Sequence, residues 1–364
     1  MSAVLVSARS ALTSGGLGVR RLAAFDIGSG SMKVQVSDVD IVSGRILTTL
    51  YEAEKLVLYG EDLKRGTDGA LSAEIQSEGF AVLQSFKAVA TSLNASAYRG
   101  VGTEVFRRAS NGSDHLKRLD TLIPIQLVSQ QKEAELGFST VCAVLGIPAS
   151  TPGVIVWDSG GASFQITTTR SQPSSPPAEA SSSELDVYCG SLGTSVSIAS
   201  LLHEVQHRDC ASQWRDVNPV TRSSADDLVS NLLVKLGSPP PWLVGADVVF
   251  AAAGSNSLFR LCCIVLGGGA RDGVASSARS SPPVAVVTSF SYASAVRAFH
   301  LCLESTDEQL AKYQAFDNAE GTHAIVPKLA LLVAVMTKAG IKEVRTVTCT
   351  GSCAGVLVDR SFWD

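Results

Sequence analysis

Basic charge is scarce in this chain: 30 Lys and Arg stand against 34 Asp and Glu in 364 residues, a formal net charge of -4. A surface that tracks nucleic acid displaces counterions with a stripe of cations, so the balance argues against such a partner. Any anionic substrate must be held by local groups. Long apolar runs are missing too. Mean hydropathy is positive, +0.22, yet the runs at 248–253, 261–266 and 329–336 are too short to cross a bilayer, and no transmembrane helix or membrane partner is predicted. No CxxC pair occurs among the eight cysteines, which leaves no zinc ribbon or thioredoxin-like site and favours free thiols in a reducing compartment. Neither a Walker GxxxxGK[ST] nor a Rossmann GxGxxG is present.

What is there is a repeated grammar. Ala24-Phe25-Asp26-Ile27-Gly28-Ser29-Gly30-Ser31 and Val156-Trp157-Asp158-Ser159-Gly160-Gly161-Ala162-Ser163 stand 132 positions apart. Each is an apolar run ending in an Asp, then small residues, then another alternating stretch, which reads as strand, tight turn, strand. Glycines let backbone N–H groups approach a phosphate, serines add donors, and the Asp can hold a divalent cation. Two such turns face to face would clamp a phosphoryl group.

Around these turns strands and helices alternate, the pattern of an α/β chain. Residues 22–59 read as three strands, 72–93 as a helix, 98–103 as a strand, 104–119 as a helix and 123–128 as a strand. The next helix carries Ala134, Phe138, Val141 and Leu145 as an apolar stripe. After the second turn, helices are expected near 193–203, 257–265 and 326–339, with strands at 248–253 and 344–348. The organisation is therefore a first lobe at 22–150 and a second at 151–364, duplicated, with a cleft between them. Disordered insertions are expected near 171–184 and 267–283. Residues 1–21 contain Arg9, Arg20 and Arg21 with no acid before Asp26. They read as a flexible extension, with a cytoplasmic location, or as a transit peptide to a mitochondrion or plastid.

The order of these pieces resembles the exopolyphosphatase and guanosine pentaphosphate phosphatase (Ppx/GppA) family of the actin, Hsp70 and sugar-kinase superfamily. Asp26 to Ser31 is similar to its first phosphate turn, with Gly30 in place of Asn. Gly102-Thr103 with Arg107, Ala109 and Asn111 resembles the segment that carries an Arg toward the phosphate. Glu133-Ala134-Glu135-Leu136 resembles the helix start bearing the catalytic carboxylate, which falls on Glu133. Asp158 to Ser163 resembles the second turn, with Gln165 in place of a Glu and Ala162 in place of a Gly. Segments 190–202 and 253–257 look like diverged second-lobe glycine segments, and 351–355 stands where a Gly-Leu-Arg-Glu-Gly pattern is expected, without its Arg and Glu. The resemblance implies two actin-like (ribonuclease H-like) lobes and a phosphohydrolase releasing terminal orthophosphate from inorganic polyphosphate or a guanosine pentaphosphate-type nucleotide. Self-association into a homodimer stays an open alternative.

On that reading Asp26 and Asp158 hold Mg²⁺, and Gly28, Ser29, Gly30, Ser31, Gly160, Gly161, Ala162 and Ser163 receive the phosphoryl oxygens. Arg107 offers a forked, permanently charged donor, Glu133 is the general base on water, and Gln165 orients water. Gln165 cannot accept a proton at neutral pH, so a catalytically weakened phosphate or nucleotide sensor is the alternative. If the Ala162 position needs a positive φ, Ala costs about 1 kcal/mol there. Taken singly, Glu133 reads as a solvated acid and Lys33 as an outward strand residue. His203-Glu204-Val205-Gln206-His207 fits HExxH and would make a zinc metalloprotease a remote alternative. Gly351-Ser352-Cys353-Ala354-Gly355 imitates a nucleophile elbow with Cys in place of Ser.

Overall fold

The computed structural model describes residues 18–170, 185–268, 288–313 and 321–364. In the first lobe, β1 (Val19–Ile27), β2 (Ser31–Asp40) and β3 (Arg45–Leu56) form an antiparallel meander. α1 (Tyr59–Arg65) and α2 (Ala73–Ser92) lead to β4 (Ala97–Gly102), which pairs parallel with β1. α3 (Glu104–Arg108) and α4 (Gly112–Asp120) precede β5 (Ile125–Leu127), and α5 (Gln130–Leu145) closes the unit. The sheet order is β3-β2-β1-β4-β5.

The second lobe repeats this plan. Antiparallel β6 (Ile155–Ser159), β7 (Phe164–Thr169) and β8 (Leu185–Gly190) are followed by α6 (Thr194–Ala199), α7 (Cys210–Gln213) and α8 (Arg222–Lys235). Then come β9 (Val248–Ala253), α9 (Leu258–Leu266), β10 (Thr288–Ser291), α10 (Tyr292–Leu301), α11 (Asp307–Leu310), α12 (Ile325–Ala339), β11 (Glu343–Thr348) and α13 (Cys353–Val358). Its sheet order, β10-β11-β9-β6-β7-β8, is the first sheet's order with one extra antiparallel edge strand. The duplication expected from the two turns is thus present in the topology.

The last helix of each unit packs across the interface. Phe138, Val141 and Cys142 of α5 share a core with Val156, Ala252 and Val347 of the second sheet. Cys353, Val356 and Leu357 of α13 lie against Leu22, Ala24 and Val101 of the first. The two helices meet where the Gly355 amide donates to Thr140 Oγ1 at 2.8 Å, inside the protein. The chain therefore returns to the first lobe after residue 350.

Several expectations are adjusted. The segment 104–119 is two helices, because the backbone turns extended at Ala109 (φ -66°, ψ 134°) and the Asn111 side chain bonds both backbone groups of Leu71. β1 begins at Val19, inside the expected extension. The apolar run at 329–336 belongs to a longer stretch, Thr322–Ala339, whose 18 residues are long and apolar enough to span a bilayer; 83% of it is buried within the second lobe's core. The expected insertion at 171–184 and most of that near 267–283 lie outside the described residues, as do residues 1–17.

Candidate active site

β1 and β6 end side by side on the cleft. In the first turn Gly28 N–H donates to Ser31 O at 3.0 Å; in the second Gly160 N–H donates to Ser163 O at 2.9 Å. Asp26 pairs in register with Lys33, and Asp158 with Gln165. The repeat is thus geometric as well as verbal. A side chain on Gly161 would begin 3.3 Å from the Gly30 amide nitrogen, so the two turns face each other almost in contact. The Gly28 and Gly160 amides close the turns and are spent. The amides of Ser29, Gly30, Gly161 and Ala162 remain as anion donors, since none has a backbone partner among the described residues. None of these positions has a positive φ, so Ala162 carries no backbone cost.

The turns open into a cavity of about 130 Å³ between the lobes. Asp26, Lys33, Glu54, Glu133, Asp158 and Gln165 all line it, with Asn256, Lys328 and Gly351. Asp26 accepts the Ser352 amide at 2.9 Å, at the start of α13. Gly351 makes this possible: its φ is +54°, and a Cβ there would sit 2.1 Å from Asp26 Oδ2. The segment that departs from the family pattern therefore positions the first aspartate. Asp158 is half-buried, and desolvation together with the neighbouring Asp26 pushes its carboxyl up to about 6, against the pull of Lys33.

Glu133 sits in the first turn of α5, whose N-cap Ser129 accepts the Lys132 amide at 3.2 Å. Burial raises its carboxyl to about 7; Arg107 opposes this, and Asp26 and Asp158 add to it. A carboxyl near neutrality in a cleft is suited to accepting a proton. Arg107 NH2 donates to Glu133 Oε2 at 3.1 Å, and NH1 donates to the Val128 carbonyl. It stands behind Glu133 and faces a neighbouring hollow rather than the turns. Gln165 does face the cavity, donating to Ser163 Oγ at 3.1 Å.

Lys33, read from sequence as outward, points inward between Asp26 Oδ2 (3.9 Å) and Glu54 Oε1 (4.0 Å). Burial works against its charge, but Asp26 and Glu54 outweigh that and hold its ammonium pKa above the ordinary lysine value. The signal was available: Lys33 lies seven positions after Asp26, as Gln165 does after Asp158. Glu54 accepts from Ser31 Oγ at 2.7 Å and from Ser255 Oγ of the second lobe. Lys328 donates to Asn256 O at 2.8 Å, a lone cation in an otherwise apolar helix start.

The competing motifs lose their geometry. His203 and Glu204 lie in a π-helical segment, Ser200–Val205, that stops before His207, which has φ +54°. The two histidines are thus not one regular helical turn apart, and Glu204 is paired with Lys235. Among the described residues no group of three or more His, Cys, Asp or Glu is placed to hold a metal ion. Cys353 is fully buried, and burial beside Asp26 raises its thiol well above the ordinary value, so it is no nucleophile.

Comparison with known proteins fits this geometry. Residues 39–187 match the Ppx/GppA phosphatase family. The fold is that of the Ppx/GppA phosphatases. A crystal structure of an exopolyphosphatase-like protein is similar at 14% identity, TM-score 0.72, covering 94% of this chain and 98% of that one. An exopolyphosphatase from Cytophaga hutchinsonii gives 15%, 0.67, 93% and 96%. The Aquifex aeolicus member of the Ppx/GppA family gives 17%, 0.63, 93% and 97%. The resemblance drawn from the order of motifs is borne out, and the two-lobed α/β fold is the one expected with it.

Proposed function

We propose that this protein is a phosphoric anhydride hydrolase releasing terminal orthophosphate from inorganic polyphosphate or a guanosine pentaphosphate-type nucleotide. The observation that carries the reading is that Glu133 opens onto the same cavity as two matched Asp-Gly turns. The terminal phosphoryl group lies between the free amides of Ser29 and Gly30 and those of Gly161 and Ala162. Lys33 offsets part of its charge. Glu133, ionised, takes a proton from a water as that water's oxygen bonds to phosphorus. The bond from phosphorus to the bridging oxygen breaks, and the shortened chain leaves with the electron pair. Positioning and neutralisation supply most of the acceleration in such chemistry.

The donor set fits a hard divalent cation: carboxylate oxygens at Asp26 and Asp158, and a half-buried Asp158 whose ionisation Asp26 opposes. Asp26 and Asp158 would hold Mg²⁺, which neutralises the transferred phosphoryl oxygens when bound. Gln165 keeps the sensor alternative alive, because an amide faces the cavity opposite Asp158. The test is orthophosphate release from long-chain polyphosphate and from guanosine pentaphosphate, in Mg²⁺ and in EDTA, with Glu133→Gln alongside. Hydrolysis is expected in Mg²⁺ and lost, with binding retained, in Glu133→Gln. Binding without Mg²⁺-dependent release from either compound would replace the enzyme reading by the sensor one.

A further inference from the structure

Three charges lie in register across the first sheet at the edge of the reaction cavity. Asp26 of β1 pairs with Lys33 of β2, and Lys33 pairs with Glu54 of β3. Cross-strand partners project to the same face of a sheet, so one cation stands between two carboxylates. The hydrolase chemistry uses Asp26 and Lys33 and leaves Glu54 without a task, although Glu54 lines the cavity with them. Glu54 is held as a bound anion is held. Its Oε1 accepts from Ser31 Oγ at 2.7 Å and lies 4.0 Å from Lys33 Nζ, while Oε2 accepts from Ser255 Oγ of the second lobe. Lys328 of α12, on the same cavity, adds a further favourable charge. Burial opposes the negative form, but Lys33, the two serines and Lys328 outweigh it and keep the carboxyl below the ordinary glutamate value. These hydroxyls and cations are the donors a phosphoryl oxygen would seek, and a carboxylate of the chain already holds them.

We propose that Glu54 is a built-in competitor of phosphate: it occupies donors of the cleft and sets a fixed negative charge against bound orthophosphate, so that the released product is held weakly. This role rests on a phosphoryl group binding between the two turns, as in the hydrolase reading, and not on turnover. Like charges sharing a site repel, the more so where water is excluded. Free orthophosphate has the amides of the turns and a Lys33 already shared with two carboxylates to offset that repulsion. Glu52, on the same face of β3, accepts from Thr350 Oγ1 of the second lobe at 3.0 Å, so this edge stays joined to the second lobe when the Glu54 charge is removed.

The test is the Kd of orthophosphate, by calorimetry on the full chain at low salt, for wild type, Glu54→Gln, Glu54→Ala and the charge-keeping Glu54→Asp. Glu54→Gln keeps a hydrogen-bonding side chain of the same size and removes the charge. Its Kd is expected to fall about tenfold, the scale of one like charge in a partly screened cleft. Glu54→Asp should gain least of the three. In Glu54→Ala, where the donors are left open, added formate should weaken orthophosphate binding more than it does in wild type. Orthophosphate bound equally or more weakly by folded Glu54→Gln and Glu54→Ala, or bound by none of the proteins, overturns the competitor role. A purely structural Glu54 gives the weaker binding, because loosened lobes part the two turns. An unchanged Kd in a wild type that hydrolyses polyphosphate rejects the role of Glu54 and leaves the hydrolase reading standing. Tighter binding in Glu54→Gln of a chain that hydrolyses nothing upholds Glu54 and rejects the hydrolase.

Discussion

Arg107→Ala separates the two tasks this arginine is suited to. Its guanidinium lies 3.1 Å from Glu133, which burial has raised to about 7. An opposite charge at that range lowers a carboxyl by roughly one to three pH units, and Arg107 is 25% exposed, which favours the lower end. Removing it should therefore move Glu133 up by about one unit. A general base works ionised, so kcat in the wild type should rise with pH through a limb near 7 and level off above it. In the variant the limb shifts to about 8. At pH 7 the ionised fraction drops from about one half to about one tenth, a loss of about fivefold that vanishes by about pH 9. The assay is kcat against pH at saturating polyphosphate, with Glu133→Gln as the control that should have no limb. A limb that stays near pH 7 while activity falls equally at every pH would refute the argument. Arg107 would then act on the phosphate itself.

Three further perturbations follow from the same geometry. Asp158 holds its proton to about pH 6 when folded, against 3.8 as a free side chain, so stability falls as pH rises between those values and the deficit persists above. Asp158→Asn should thus raise the unfolding midpoint in chelator at pH 8 by roughly a few degrees, leave it unchanged near pH 4, and abolish any Mg²⁺-induced shift; a lower midpoint at pH 8 contradicts this. Lys33→Met leaves Asp26 and Glu54 facing the phosphate unopposed, and kcat/KM should fall by about 10²-fold or more with little change in fold by circular dichroism. Gly355→Ala places a Cβ 2.2 Å from the Leu136 carbonyl oxygen, where α13 crosses α5, and should cost roughly 1–3 kcal/mol in denaturant unfolding.

The parts of the fold legible in the sequence were those written twice. The Asp26 and Asp158 turns announced the duplication because a strand end, a turn and a return strand each impose a local residue choice. The helix at Glu133 was legible from its Ser129 cap and apolar stripe. What stayed hidden depends on chain-distant contacts. Nothing near Asn111 in sequence announces that its side chain bonds Leu71, 40 positions away, and so ends a helix. Glu54 reads as an ordinary strand acid until the second lobe brings Ser255 against it. HExxH, held as a remote alternative, fails for the complementary reason: spacing assumes a regular helix, and the π-helical segment breaks that assumption.

Duplication also explains why the two aspartates are not equivalent. Across from Asp26, β2 offers Lys33; across from Asp158, the matching place on β7 offers neutral Gln165. The first aspartate therefore has a cation and the Ser352 amide nearby. The second, half-buried, is pushed toward protonation by desolvation and by its neighbour. A symmetric clamp would hold a phosphoryl group and have no reason to favour one face. This one carries fixed positive charge on the first-lobe side and a carboxylate in need of a cation on the other, with Glu133 entering from α5. On the proposed hydrolase reading that asymmetry would give the cleft a direction, with water on the Glu133 side and the leaving chain directed elsewhere. Restoring symmetry with Gln165→Lys should accordingly satisfy Asp158 and weaken any Mg²⁺ dependence of stability.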